Sequence, residues 1–331
     1  MADVERVSVI GLRLKRVGRS VLRALAIFVP VFLLASFVTY LLGFMSGLSP
    51  AHLQLGEAAT PSAVARLEHE WGFDRPFIVQ YLSWFVALLK GDFGVSWYNG
   101  RSVSELLAAR GMVSLSVAGL ALVMGTVSGV VLGTLAAVLQ GSLIDRTITA
   151  MTSFISVLPS FVVGIALVTV FAVALKLLPS AGYVPLDEGV WPWLSHLLLP
   201  AIALSFDTTA SIARQLRVGL ISAYRENYVI GALLRGFSDR RIFFVHVLPN
   251  GIAPALTVLG MKFPNLLGGA VVTEAIFGLS GYGKFASDSA LRGDVPSVQG
   301  VLVVSIVLVV TFNVLVNSIL NRVFPSAQRS A

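Results

Sequence analysis

Six long apolar stretches dominate the chain, near residues 21–44, 114–139, 147–176, 197–217, 250–277 and 298–321. Each supplies roughly the 20 residues that a helix needs to cross about 30 Å of hydrocarbon. Lipid offers no partner to a bare N–H or C=O, so such a segment must satisfy its hydrogen bonds within itself, as a helix. The third stretch is long and contains Pro159, which predicts tilt or a kink there. Hydrophobic residues make up 56% of the 331 and charged residues only 12%, which excludes an ordinary soluble domain. An all-α membrane protein with six transmembrane helices follows.

The net charge of +7 is a topology signal rather than a nucleic-acid footprint. Arg6, Arg13, Lys15, Arg16, Arg19 and Arg23 precede or open the first span, against Asp3 and Glu5. Arg214, Arg217, Arg225, Arg235, Arg240 and Arg241 lie around the loop after the fourth. Residues 45–113 instead hold five basic and six acidic residues, and 278–297 two of each. Cationic loops stay in the cytoplasm, so both termini and the 218–248 loop are expected inside. The expected division is a cytoplasmic N-terminus over 1–20, a first span over 21–44 and an extracytoplasmic loop over 45–113. The core of 114–322 follows, then a cytoplasmic tail over 323–331. The first span is too long for the apolar core of a signal peptide and reads as retained. Cysteine is absent, which rules out disulfides and thiolate metal sites.

The outer loop carries two amphipathic segments, one after the Thr60-Pro61-Ser62 cap and one from about Pro76 to Leu89. In the second, Phe77, Tyr81, Trp84, Phe85 and Leu88 recur at helical spacing, the pattern of a helix laid against the bundle or in the interface. Gly125, Gly129 and Gly133 form a doubled small-xxx-small face in the second span, fit for close helix packing.

Three catalytic patterns in the sequence do not hold. Gly278, Gly283 and Lys284 match a phosphate-binding loop, but Phe285 replaces the hydroxyl that would hold magnesium, and a membrane helix precedes it. Ser280 lies in a GLSG run like that of some intramembrane proteases, yet none of the four histidines (His52, His69, His196, His246) falls in the last span as its base. His69-Glu70 lacks a second histidine, since Phe73 stands in its place. No catalytic residue and no metal site is expected.

The informative segment is YRENYVIGALLRGFSDRRIFFVHVLPN, Tyr224 to Asn250. Tyr228, Ala232 and Leu233 read as one face of a docking helix, Gly231 and Ala232 allow close approach, and Gly236 can end the helix. This segment resembles the EAA loop of binding-protein-dependent ABC permeases, with Gly236 and the His246-Val247-Leu248-Pro249 element at the family spacing. Gly231 and Ala232 stand for its two alanines, and Ile230 replaces its acidic residue. The B-type permease of the dipeptide/oligopeptide/nickel family is similar further along the chain. It matches at Gly72-Phe73-Asp74-Arg75-Pro76, Gln80-Tyr81 and Gly91-Asp92-Phe93-Gly94, then at Glu274 and Phe277-Gly278-Leu279-Ser280-Gly281-Tyr282-Gly283. Departures are Gly47-Leu48-Ser49-Pro50 for a Pro-Gly-Asp-Pro run, and Asn321-Arg322-Val323-Phe324-Pro325 for Leu-Asp-Pro-Arg.

The resemblance implies the type I ABC importer transmembrane fold, with a long helical outer loop between the first two helices. It implies one transmembrane half of an importer in a prokaryotic cell membrane, paired with a homologous C-type permease. Two cytoplasmic ATPase domains would bind ATP and Mg, and an extracytoplasmic solute-binding protein would deliver substrate; this chain itself would hold no cofactor. The coupling helix would run over 227–236, with Asn227, Tyr228, Gly231, Ala232, Leu233 and Gly236, and would carry the ATPase motion as a rigid body. Gly278, Gly281 and Gly283 would lie at the outer end of the fifth span, with Gly281 and Gly283 turning the chain. Short peptides are the implied cargo; nickel chelates, glutathione and oligosaccharides are alternatives. An ion-coupled secondary transporter would instead place its coupling chemistry on Asp207 and Glu274.

Two spans carry opposite charges at similar depth. Asp207 lies seven residues before Arg214, and Lys262 twelve beyond Asn250, which puts them about 10–18 Å from the cytoplasmic ends. Lone charges there are costly, so the two are expected either to pair inside the bundle, directly or through water, or each to face a wet pathway.

Overall fold

The computed structural model describes residues 28–323. The basic cluster from Arg6 to Arg23, residues 21–27 of the first span and the tail from 324 lie outside the described residues. In chain order the helices are α1 (Phe28–Met45), α2 (Pro50–Leu55), α3 (Pro61–Trp71), α4 (Phe77–Leu89), α5 (Val103–Val138), α6 (Leu143–Val157) and α7 (Ser160–Leu167). There follow α8 (Val190–Tyr224), α9 (Asn227–Leu234), α10 (Asp239–Arg241), α11 (Leu248–Gly251), α12 (Ala253–Ile276), α13 (Tyr282–Leu291) and α14 (Val295–Val323). Five of them, α1, α5, α8, α12 and α14, are long and apolar enough to cross a membrane; α6 with the Ser160–Ala174 arm makes a sixth, bent span. The protein is all-α, as expected.

The chain divides into two compact units, one of residues up to Ala109 with Phe285–Val314, the other of Arg110–Lys284 with residues from Leu315. In the first, both amphipathic segments of the outer loop are helices. Thr60 Oγ1 caps α3 by accepting from the Ala63 N–H at 3.3 Å. On α4, Tyr81 is buried edge-on to Phe37 and Tyr40 of α1, at ring-centroid distances of 5.4 and 5.7 Å, and its hydroxyl meets Ser36 Oγ at 3.0 Å. The opposite face of α4 (Ile78, Leu82, Val86, Leu89) is exposed. Buried Asp294 ties the loop before α5 to the start of α14. Its Oδ2 accepts from Ser96 Oγ at 2.5 Å and Ser297 Oγ at 2.6 Å, and its Oδ1 from the Trp97 N–H at 3.0 Å.

The second unit is built around α8. A Cβ on Gly125 would stand 2.7 Å from Thr208 Cβ, one on Gly129 2.8 Å from Ile212 Cβ, and one on Gly133 2.6 Å from the Ala213 carbonyl oxygen. The glycine stripe of α5 therefore brings two backbones together where any side chain would part them. Pro200 sits inside α8 and Pro264 inside α12; membrane helices tolerate such prolines where surrounding groups re-satisfy the freed backbone.

Several boundaries differ from the hydropathy reading. α5 begins at Val103 rather than near 114, because Val103, Leu106 and Leu107 are buried by protein and need no run of apolar neighbours. The third span is broken rather than kinked. Leu158 (ψ 121°) and Pro159 (ψ 138°) are both extended, and the two arms meet at 100°. One proline removes a hydrogen bond and bends a helix modestly; two successive extended residues redirect it.

Candidate functional site

Helix α9 is bounded by local chemistry. Glu226 is extended before it, and Gly236 (φ 74°) takes the left-handed conformation after it. The Gly236 N–H donates to Leu233 O at 2.9 Å and the Phe237 N–H to Ala232 O at 3.2 Å, the paired closure that glycine permits at a helix end. Phe237 is then held between the Arg241 guanidinium, 4.1 Å from its ring centre, and the stacked His246 ring at 5.9 Å. Val229 and Ala232 are buried in a cluster with Ile212, Leu216, Leu220, Ile242 and Val247. Tyr228, Ile230, Leu233 and Leu234 are exposed, the last at 85%.

The expected common face of Tyr228, Ala232 and Leu233 is therefore corrected. A step of 100° per residue puts Val229 and Ala232 on one side, and that side packs inward. Ala232 is part of the anchor, and the outward face consists of Asn227, Tyr228, Ile230, Leu233 and Leu234. Gly231 is open, since a Cβ there would meet nothing within 4 Å.

At the other end of α12, Glu274 is fully buried. Its Oε1 accepts from Ser114 Oγ at 2.5 Å and its Oε2 from the Lys284 N–H at 2.8 Å, while Ser114 Oγ accepts from the Tyr282 N–H at 2.7 Å. The carboxylate thus joins α5, α12 and the start of α13, a structural post rather than the coupling charge that an ion-driven transporter would place there. Of the three glycines expected here, only Gly278 (φ 59°) has a left-handed backbone. Gly281 and Gly283 do not turn the chain by unusual φ. A Cβ on Gly281 would fall on the Glu274 carboxylate and Ser114 Oγ, and one on Gly283 would stand 2.7 Å from Val271 Cα. They are glycines of close approach.

Near the middle of α8 and α12, the structure brings Asp207 and Lys262 together, with Nζ 2.6 Å from Oδ2. The Lys262 side chain is sheltered, at 13% exposure, whereas that of Asp207 is 55% exposed. Asp207 therefore opens away from its own unit instead of lying sealed inside it.

Sequence reasoning missed a second ion pair. Arg217 donates through Nε to Asp145 Oδ1 at 2.6 Å and through a terminal nitrogen to Oδ2 at 2.8 Å. The Gly141 N–H and Thr149 Oγ1 complete the Asp145 shell at 2.9 and 3.3 Å. In the sequence Arg217 carries only a topology signal. The one acidic residue in the tight hairpin of 140–146 was the available signal.

Two family models match the sequence: binding-protein-dependent transport system inner membrane component, over residues 129–329, and its N-terminal counterpart, over 17–118. A probable peptide ABC transporter permease protein, y4tP, of Sinorhizobium fredii is 34% identical over 300 residues, covering 91% of this chain and 96% of that protein. The dipeptide transport system permease protein DppB of Escherichia coli is 30% identical, covering 92% and 96%. The metal-staphylopine import system permease protein CntB of Staphylococcus aureus is 28% identical, covering 91% and 96%. Among solved structures, an inward-facing MetNI methionine ABC transporter chain aligns with a TM-score of 0.53 at 19% identity, covering 66% of this chain and 97% of that one. That likeness concerns the fold.

Proposed function

Because the chain belongs to the family of binding-protein-dependent transport system inner membrane components, we propose that it is one transmembrane subunit of an ATP-driven importer of short peptides. The observation that carries the substrate class is its similarity, along nearly the whole length of both chains, to a probable peptide ABC transporter permease. The partners are a homologous permease, two ATPase domains and an extracytoplasmic solute-binding protein. ATP and Mg belong to the ATPase domains, and this chain performs no bond chemistry.

Its own contribution is mechanical. Helix α9 exposes Tyr228, Ile230, Leu233 and Leu234 around a narrow inward strip pinned by Val229 and Ala232. An exposed apolar helix face fits a groove on a protein partner, here the ATPase domain. The inner anchor makes α9 move with α8, so closure of the ATPase dimer reaches the membrane helices as a rigid-body displacement.

Uptake of radiolabelled dialanine into cells carrying the complete system should disappear when the phosphate-loop lysine of the partner ATPase is substituted. Uptake that survives this change but collapses with the ion gradient would refute the ATP-driven reading. Orientation has its own test, since any introduced thiol is unique in a chain without cysteine. Ser238→Cys should react with an impermeant reagent from the cytoplasmic side only, and Ser62→Cys from the outer side only. The reverse at either position would overturn the arrangement with both ends inside.

A further inference from the structure

A charge at hydrocarbon depth costs about 2.5–3.5 kcal/mol on insertion scales, so it faces protein, an opposite charge or water. Lys262 meets that requirement within the chain: it is sheltered and its ammonium rests on Asp207 Oδ2. Asp207 does not. More than half of its side chain is exposed, and among the described residues its one further partner beyond Lys262 is Ser211 Oγ at 3.4 Å from Oδ1, a long contact that leaves acceptor capacity free.

The surface around it is mixed: Met261 and Val272 are exposed on the Asn265 side of α12, but polar and small groups stand beside the carboxylate. On α8, Ser211 and Arg214 follow Asp207 at helical spacing, and Arg214 is exposed. On α12, Asn265 and Gly269 follow Lys262 on one face, and both are exposed. Two adjacent helices thus present polar and small residues around a half-open carboxylate near mid-span.

We infer that this stripe lines the substrate passage and that Asp207 receives the terminal ammonium of a peptide in transit, an inference that rests on the peptide-import reading above. A single carboxylate beside a lysine is a poor metal site, which would need several anionic or imidazole ligands and no competing cation. It suits one ammonium. Every linear peptide with a free N-terminus carries that group whatever its side chains, so the contact is indifferent to sequence. Lys262 is the positioning residue: it fixes one oxygen of Asp207, leaves the other to the substrate, and weakens the attraction that would otherwise trap a cation. A passage must hold its cargo weakly enough to release it.

The test uses Asn265→Cys as a reporter, one turn from Lys262, in the transporter assembled with its ATPase partners in nanodiscs. The introduced thiol should react with a water-soluble methanethiosulfonate. Millimolar dialanine should slow that reaction by about tenfold, the factor that corresponds to 1.4 kcal/mol. Asp207→Asn should leave the thiol reactive but remove the protection, and Asp207→Glu should restore it. N-acetyl-dialanine, which has no ammonium, should not protect even with Asp207 in place, which keeps the test decisive if Asp207→Asn fails to assemble. A thiol that is unreactive in every nucleotide state would mean that the second permease seals this surface and would overturn the inference. Equal protection by the acetylated peptide, or protection unchanged in Asp207→Asn, would overturn it too. Dialanine uptake by the unmutated transporter separates the two readings. Uptake without protection defeats the inference alone, whereas no uptake defeats the peptide reading and the inference with it.

Discussion

Gly231→Arg is expected to leave the chain in the membrane and to abolish stimulation of ATP hydrolysis by the loaded binding protein. The first half follows from the space around Gly231. A Cβ there meets nothing within 4 Å, so the long side chain extends outward without disturbing the anchor of α9. The second half follows from the proposed docking surface. A guanidinium projecting beside Tyr228, Ile230 and Leu234 must be desolvated in an apolar groove, at a cost of several kcal/mol if unpaired. Gly231→Ala should keep full stimulation, because alanine is small and favours the helix by about 1 kcal/mol. Ala232→Arg supplies the contrast. Ala232 is 3% exposed among Ile212, Leu216 and Val247, so an arginine there should prevent assembly and lower the amount of protein in the membrane. Normal stimulation in Gly231→Arg, measured as ATP hydrolysis with and without loaded binding protein, would remove α9 from the coupling role. Equal expression of the two arginine variants would show that the inward and outward faces of α9 are wrongly assigned.

Breaking the Asp145–Arg217 pair should produce the largest loss of stability. Asp145 is 4% exposed and Arg217 27%, and two short parallel hydrogen bonds join them across α6 and α8. Removing one member of a buried pair typically costs about 3–5 kcal/mol, because the other is left buried and uncompensated. The asymmetry in burial sets the order. Arg217→Met strands the deeper carboxylate, with only Gly141 N–H and Thr149 Oγ1 to satisfy it, and should be the worse single change. Asp145→Asn leaves an arginine long enough to reach water and should cost less. The double variant should be more stable than Arg217→Met alone, since no buried charge remains. Thermal unfolding of the purified protein in detergent reads all three. Additive losses across the cycle would mean that the pair contributes no coupling and that each residue acts alone.

Much of the fold was legible because membrane helices are specified locally. Six apolar runs, the Thr60 cap, the glycine stripe at Gly125, Gly129 and Gly133, and the stop at Gly236 each act within a few residues of themselves, and the helices follow them. The same locality explains the errors at the ends. Hydropathy registers residues that lipid must cover, whereas Val103, Leu106 and Leu107 are covered by protein and extend α5 beyond its apolar run. A single Pro159 announced a kink and biases Leu158 before it to extended backbone, but the 100° redirection also needs Pro159 itself to be extended at ψ 138°, which its ring does not require.

The sequence by itself determined which segments are helices, where a helical element follows the fourth span, and that Asp207 and Lys262 lie at comparable depth. Only the tertiary structure decided what each polar group does at its address. Glu274 and Asp207 are both carboxylates within helices that can span a membrane. One is closed off by Ser114 from 160 positions earlier; the other is left half open beside a lysine 55 positions later. Asp145 finds Arg217 across 72 positions. Helix formation depends on neighbours three and four residues away, which can be read in order along the chain. The partner of a buried charge depends on which helices lie side by side, and that is settled by close approaches such as those of Gly125, Gly129 and Gly133 to α8, made only when the chain has folded.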